Sequence, residues 1–224
     1  MTARATRNDI ANALDFLEDA GLIRYATAVA FDDHRVGWHN TELGPFLVDY
    51  GHATTDQYLA WVKASQYSAL LNDGSLLQMT YRLEAGVVIG HRLAYVPCPV
   101  IIDEYLLEHG DPVADIVEIY LSQAPAAVAL RSPIRFDYDP NAASVIHPSV
   151  HMTINSPGCR IACVAPLHPY RFIEFVYRHF YPDLRSAEAA WFDAAATQNI
   201  GSRVLTRDDA TRPHIMWEIH HPPA

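Results

Sequence analysis

The run Arg135-Phe136-Asp137-Tyr138-Asp139-Pro140 is followed by a loop and then by His147-Pro148-Ser149-Val150-His151-Met152-Thr153-Ile154-Asn155. Side chains alternate between the two faces of a strand, so Arg135, Asp137 and Asp139 project together, opposite Phe136 and Tyr138. The same rule places His147, Ser149, His151, Thr153 and Asn155 on one face, opposite Val150, Met152 and Ile154. Arg160 follows across the short turn at Pro157-Gly158. If the strands pair, two carboxylates, two imidazoles and an arginine converge. Two aspartates on one face repel unless a cation, an arginine or a proton compensates them.

Such a set suits two kinds of chemistry. Asp137, Asp139 and His151 are candidate ligands for a divalent metal, Mg2+ or Mn2+. Alternatively, His151 acts as general base with His147 assisting, while Arg160 or Arg135 offsets charge on a phosphoryl group. Both lead to a phosphodiesterase or nuclease as the leading expectation. The competing account of the same pattern is a solvated sheet face, polar only because water lies against it.

Other candidates carry less. Asp32, Asp33, His34 and His39 read as a charged hairpin turn before they read as a metal cluster. His179 on an apolar helix reads as a core histidine, and His220 and His221 sit in a Pro-ended tail. His151-Met152-Thr153 matches a motif that paired-histidine phosphoesterases carry twice, but no second copy follows. There is no serine nucleophile elbow, phosphate-cradling glycine loop or HExxH.

The elements that must position these residues are legible from local signals. Asn8, with Ile10, Leu14 and Leu17 and then Gly21, predicts a capped amphipathic helix. Arg24 to Phe31 and Val36 to His39 predict a hairpin around Asp32-Asp33-His34. Thr54-Thr55-Asp56-Gln57 is a capping box opening a helix with Tyr58 and Val62 inward. After the Asn72-Asp73-Gly74 turn, Leu77, Met79, Tyr81 and Leu83 alternate with Gln78, Thr80, Arg82 and Glu84, the period of a half-buried strand. Its expected antiparallel partner, Val87 to Val96, follows a turn at Ala85-Gly86 and ends at Pro97 and Pro99.

Asp111-Pro112 starts a predicted helix through Leu121, with Ile116, Ile119 and Tyr120 inward. Strands are expected around 133–139, 147–155 and 158–164. A helix from His168 to about Tyr181 buries Phe172, Phe175, Val176 and Phe180. A second helix, Ser186 to about Gln198, is anchored by Trp191 and Phe192. Arg212 to His220 reads as a last strand that either closes the sheet or pairs across a homodimer. Antiparallel strands interleaved with helices predict one α+β domain over residues 1–224.

Composition bounds the rest. The 224 residues are 50% hydrophobic and 19% charged, with a formal net charge of -10. That balance disfavours a broad basic surface for nucleic acid but not an enzyme that touches a few phosphates. It equally suits a non-catalytic inhibitor or adaptor whose acidic surface docks another protein, with Tyr50, Tyr58 and Trp61 available to an interface. No apolar run approaches the roughly 20 residues needed to span a bilayer, so a cytoplasmic protein without membrane contact is expected. Cys159 and Cys163 would stand about 13 Å apart on a straight strand at about 3.3 Å per residue, too far for a disulfide. With Cys98 they are expected to be buried thiols.

With these segments in view, the chain resembles a bacterial family known as domain of unknown function 2290. The resemblance rests on Tyr58 to Leu71, Asp73 to Gln78, His91 to Pro99, Asp137-Tyr138-Asp139, His147 to His151, Cys159-Arg160-Ile161 and Phe172 to Tyr181. It implies no activity. The Tyr-Asp pair before a His-rich strand is also loosely similar to small bacterial toxins thought to act on RNA, which adds a defence or toxin-like setting as an expectation.

Overall fold

The computed structural model describes residues 1–38, 54–108, 110–124 and 128–219. His39, Tyr50, His220 and His221 lie outside the described residues.

The central structure follows from one strong hairpin. β5 (Leu76–Glu84) and β6 (Val87–Val96) pair antiparallel around the Ala85-Gly86 turn, with Tyr81 opposite His91 and Thr80 opposite Arg92. β6 then pairs β7 (Ile134–Tyr138), β7 pairs β8 (Val150–Ile154), and β8 pairs β9 (Arg160–Cys163), all antiparallel. On the other side β5 receives β4 (Ala69–Leu71), and β4 receives β1 (Ile23–Ala26). The hairpin of β2 (Val29–Phe31) and β3 (Arg35–Trp38) joins through β3 to β5. The class is α+β, as the sequence predicts.

The strand alternation sorts two cores onto opposite faces. Leu77, Met79, Tyr81, Leu93, Phe136, Val150 and Met152 point to one face and pack against α1 (Ala3–Asp19), α5 (Pro169–Phe180) and α7 (Ala189–Ala195) through Leu14, Phe172, Val176 and Phe192. Deleting a fully buried ring such as Phe172 would cost about 3–5 kcal/mol. On the opposite face Leu76, Ala94 and Val96 cluster with Tyr58 and Trp61 of α2 (Thr55–Lys63), Leu107 of α3 (Glu104–Glu108) and Val113, Ile116 and Val117 of α4 (Val113–Gln123). This second helical layer belongs to the end of the sheet near Leu76 and Val96. Farther along the same face the strands present Thr80, Arg92, Asp137 and His151.

Several local expectations are corrected. The first helix is capped by Thr2, whose hydroxyl accepts from the Ala5 amide, so Asn8 lies inside it. Its last turn does close at Gly21, which takes φ +66. The Thr54 capping box forms as expected, but the deeper inward residues of α2 are Tyr58 and Trp61. Both belong to the core, so neither is available to an interface.

β5 is covered on both faces over its first half, because α2 and α4 sit over Leu76 and Gln78 is sealed beneath. Ile119 is exposed, α4 burying Val113, Ala114, Ile116 and Val117 instead. Phe180, at the end of α5, is 39% exposed and stacks on Tyr95.

The predicted helix from Ser186 is two shorter ones, α6 (Pro182–Ala187) and α7, broken at Glu188. The last strand shrinks to β10 (His214–Ile215) and runs parallel to β9 in the same sheet. His179 is exposed against Phe175 and is no core histidine. Cys98 and Cys163 are buried thiols, whereas Cys159 is exposed in the β8–β9 turn. No helix among the described residues is long and apolar enough to cross a membrane.

Candidate functional site

Strand register brings the expected residues into rows across the sheet. Asp137 lies between Arg92 on β6 and His151 on β8, and Arg135 is opposite Thr153, which is opposite Arg160 on β9. Each row exists because alternation on β7 and β8 has the same parity, so one face of both strands is polar along its length. The face is not a solvated one. Asp137, Arg135, His151 and Thr153 are exposed by only 5%, 7%, 1% and 7%.

Asp137 is the electrostatic centre. Arg92 Nε donates to its Oδ1 at 2.8 Å and Arg135 Nε to its Oδ2 at 2.6 Å. Burial opposes ionisation, but the two guanidiniums outweigh it, and the carboxyl titrates below its ordinary range. Asp139, half-buried at the strand end, is held separately by Arg82 Nη2 at 3.0 Å. The compensation that two aspartates on one face require therefore comes from arginine.

That result bears on the metal expectation. Guanidiniums hold the positions around Asp137 that a divalent cation would take, and Asp139 turns to its own arginine. Among the described residues no group of three or more His, Cys, Asp or Glu is arranged to hold a metal ion. Among the described residues, a divalent cation at Asp137 would first have to displace Arg92 and the buried Arg135.

His151 is oriented by its own loop. Its Nδ1 lies 2.9 Å from the Pro148 carbonyl oxygen, which can only accept, so the proton is on Nδ1 and the lone pair on Nε2. Nε2 is buried, has no hydrogen-bond partner among the described residues, and lies 3.6 Å from Asp137 Oδ2. Burial pushes the imidazole below its usual range, against the pull of the Asp137 carboxylate. His151 is therefore neutral at pH 7, a base beside a carboxylate that would stabilise its protonated form.

His147 lies outside the strand, in a loop bridged by Ser144, with its ring 4.6 Å from that of His151. His147 Nδ1, Thr153 Oγ1 and Arg160 Nε are also buried without a hydrogen-bond partner. Orphaned polar atoms gathered on one face are unusual in a folded protein and mark a place where a ligand or water is expected.

His147 and His151 line a cavity of about 640 Å3, within the range of small-molecule sites, while Thr153 and Arg160 lie behind its wall. Four arginines, Arg35, Arg82, Arg92 and Arg135, and three carboxylates, Asp32, Asp137 and Asp139, share its wall with His34, His147 and His151. Trp38 and Thr80 complete one side. Arg160, expected at the site, acts on His151 through its charge from the neighbouring strand rather than from the cavity wall.

The sequence reading missed Arg82 and Arg92. Both were visible as polar residues at alternate positions of predicted strands, but only the β6–β7 pairing reveals that they face Asp137 and Asp139. Arg82 also needs Gly90: a Cβ there would stand 2.9 Å from the Tyr138 carbonyl oxygen and 3.1 Å from Arg82 Nη2. The missing side chain lets the guanidinium lie across β6 and reach Asp139.

Comparison with known proteins adds a family and no activity. The model of the family described as "uncharacterized conserved protein (DUF2290)" matches residues 23–217, and the chain belongs to that family. No curated protein and no solved structure matches the chain.

Proposed function

Because membership of this family carries no activity, we propose from the geometry alone that the cavity binds a phosphoryl group and that His151 and His147 perform acid–base chemistry on a phosphodiester, without a metal. The observation that carries this reading is the buried, unpartnered Nε2 of a neutral His151 on the wall of an arginine-rich cavity. Nε2 would take the proton of an attacking hydroxyl as its oxygen bonds to phosphorus. The bond from phosphorus to the leaving oxygen breaks, and His147 in its protonated form returns a proton to that oxygen. Arg35, Arg82 and Arg92 offset the charge that builds on the phosphoryl oxygens, and Asp137 stabilises the imidazolium.

Cleavage of RNA, DNA and bis(p-nitrophenyl) phosphate, with and without EDTA, tests this reading. Wild-type cleavage should survive EDTA and fall by about 10²- to 10⁴-fold in His151→Ala. Absence of cleavage by wild type, or an unaffected variant, overturns it. Cleavage that requires Mn2+ and vanishes in Asp137→Asn would restore the metal reading instead.

A second reading, a partner protein that docks another chain, is favoured by one observation away from the cavity. Ile101, Tyr105, Ile119, Val128 and Leu130 are all more than a third exposed, Leu130 fully so. The segments carrying several of them are tied together by the Val100–Val128 bridge and the bond from Ala129 N to Pro99 O. Exposed apolar side chains gathered on tied segments suit a protein interface. A stable complex that survives Asp137→Asn and is lost in Leu130→Asp would support it.

A further inference from the structure

We infer that the ligand of this site is a nucleotide with a single phosphoryl group, its phosphate in the arginine-rich cavity and its nucleoside in a second cavity alongside. The inference rests on the phosphoryl-binding reading above. The second cavity, about 830 Å3, shares Asp32, His34 and Arg82 with the first, so one ligand can span both. It lies between the tips of the β2–β3 and β5–β6 hairpins.

The two cavities differ in charge. Among the described residues the first sets four guanidiniums against three carboxylates, and its buried His151 nitrogen has no hydrogen-bond partner. Among the described residues the second sets Arg82 alone against Asp32, Asp33 and Glu84, which would repel another phosphate. What it offers instead is apolar surface from Ile89 and the exposed Phe31 ring, beside carboxylates and Asn141 that can accept from sugar hydroxyls and ring amino groups. Phe31 is 55% exposed although it lies within a strand, where a ring open to solvent is available to stack on a base.

Charge alternation of this kind also bears on chain length. A long polyanion would lay consecutive phosphates across both cavities, and the second disfavours that, in keeping with the net charge of -10. A mononucleotide, or the terminal nucleotide of a chain, fits the pattern.

Calorimetric titration of the full chain with inorganic phosphate, adenosine 5'-monophosphate, uridine 5'-monophosphate and adenosine 3',5'-bisphosphate tests the assignment. Both monophosphates should bind about tenfold or more tighter than phosphate, since stacking on an aromatic ring is sequence-tolerant. Phe31→Ala should return them to the phosphate level while leaving phosphate affinity unchanged, and the bisphosphate should bind no tighter than the monophosphates. Phosphate and monophosphates of equal affinity, or monophosphate binding indifferent to Phe31→Ala, would overturn the nucleotide inference and leave the phosphoryl site standing. Binding of none of the four would overturn both.

Discussion

Two buried carboxylates in this protein are each bracketed by a pair of arginines. Glu174, in the middle of α5, is 5% exposed and receives Arg178 at 2.6 Å and Arg185 at 3.2 Å. Arg185 goes on to Asp193, so the cluster ties α5, α6 and α7 together. Asp137 is equally buried, and it too takes two guanidiniums. Around Glu174 none of the four charged side chains has an atom that is both buried and unpartnered, and Arg178 is 48% exposed. Beside Asp137 the Nε2 of His151 and, next to it, the Nδ1 of His147 are buried without a hydrogen-bond partner among the described residues, on residues that line a cavity. A bracketed carboxylate is thus a structural device by itself. What distinguishes a site is the polar capacity that the fold buries and does not use.

The sharpest way to break this comparison is to remove each carboxylate. Asp137→Ala takes the carboxylate away from the buried Arg135 guanidinium and should cost about 3–5 kcal/mol in urea denaturation. Glu174→Ala should cost less, about 1–2 kcal/mol, because Arg178 can turn to water. Equal losses would remove the distinction.

Acid titration gives the next effect. Burial pushes His91 down to about 4 against the pull of the Asp137 carboxylate, and its Nε2 accepts from the Leu167 amide, a bond that protonation would break. A histidine with a depressed folded pKa contributes stability that is complete above its unfolded value near 6.5 and is lost as pH falls toward the folded one. His91 should therefore cost about 3 kcal/mol between pH 6.5 and about 4, a loss absent from the pH dependence of His91→Leu. His151 is shifted the same way, for the same reason, and adds to the loss in that direction.

Gly90→Ala is a smaller perturbation. Its methyl meets the Tyr138 carbonyl and the Arg82 guanidinium, so a loss of about 1–3 kcal/mol is expected, together with weaker binding of phosphate. Smallest is Arg82→Gln. The pair it removes is exposed by 47% and 36%, and its stability cost should stay under about 1 kcal/mol while anion binding falls.

How much of this was legible in the sequence depended on the range of the interaction. The parity that aligns Asp137 with His151 is a local property of two short strands, and the two-residue period predicted it. The Thr54 capping box and the Asn72-Asp73-Gly74 turn are local as well, and both form. Asn8 was a plausible cap only while Thr2 was ignored, and Thr2 is selected because the chain before the helix is anchored to the β5–β6 turn through Ala3 N and Gly86 O. Of the two arginines that hold Asp137, Arg135 stood two residues away on the same face, whereas Arg92 comes from strand pairing over a separation of 45 residues, which no short window on the sequence contains. Burial of the polar face was hidden for the same reason: alternation looks the same whether water or protein covers it.

The most direct test of the central claim is the protonation state of His151, read by 15N imidazole NMR. At pH 7 it should be neutral with the proton on Nδ1, its Nε2 resonance should shift when inorganic phosphate is added, and the same addition should leave His179 unchanged. A His151 that is charged at pH 7, protonated on Nε2, or indifferent to phosphate would contradict the assignment of this nitrogen as the free base of a phosphoryl site.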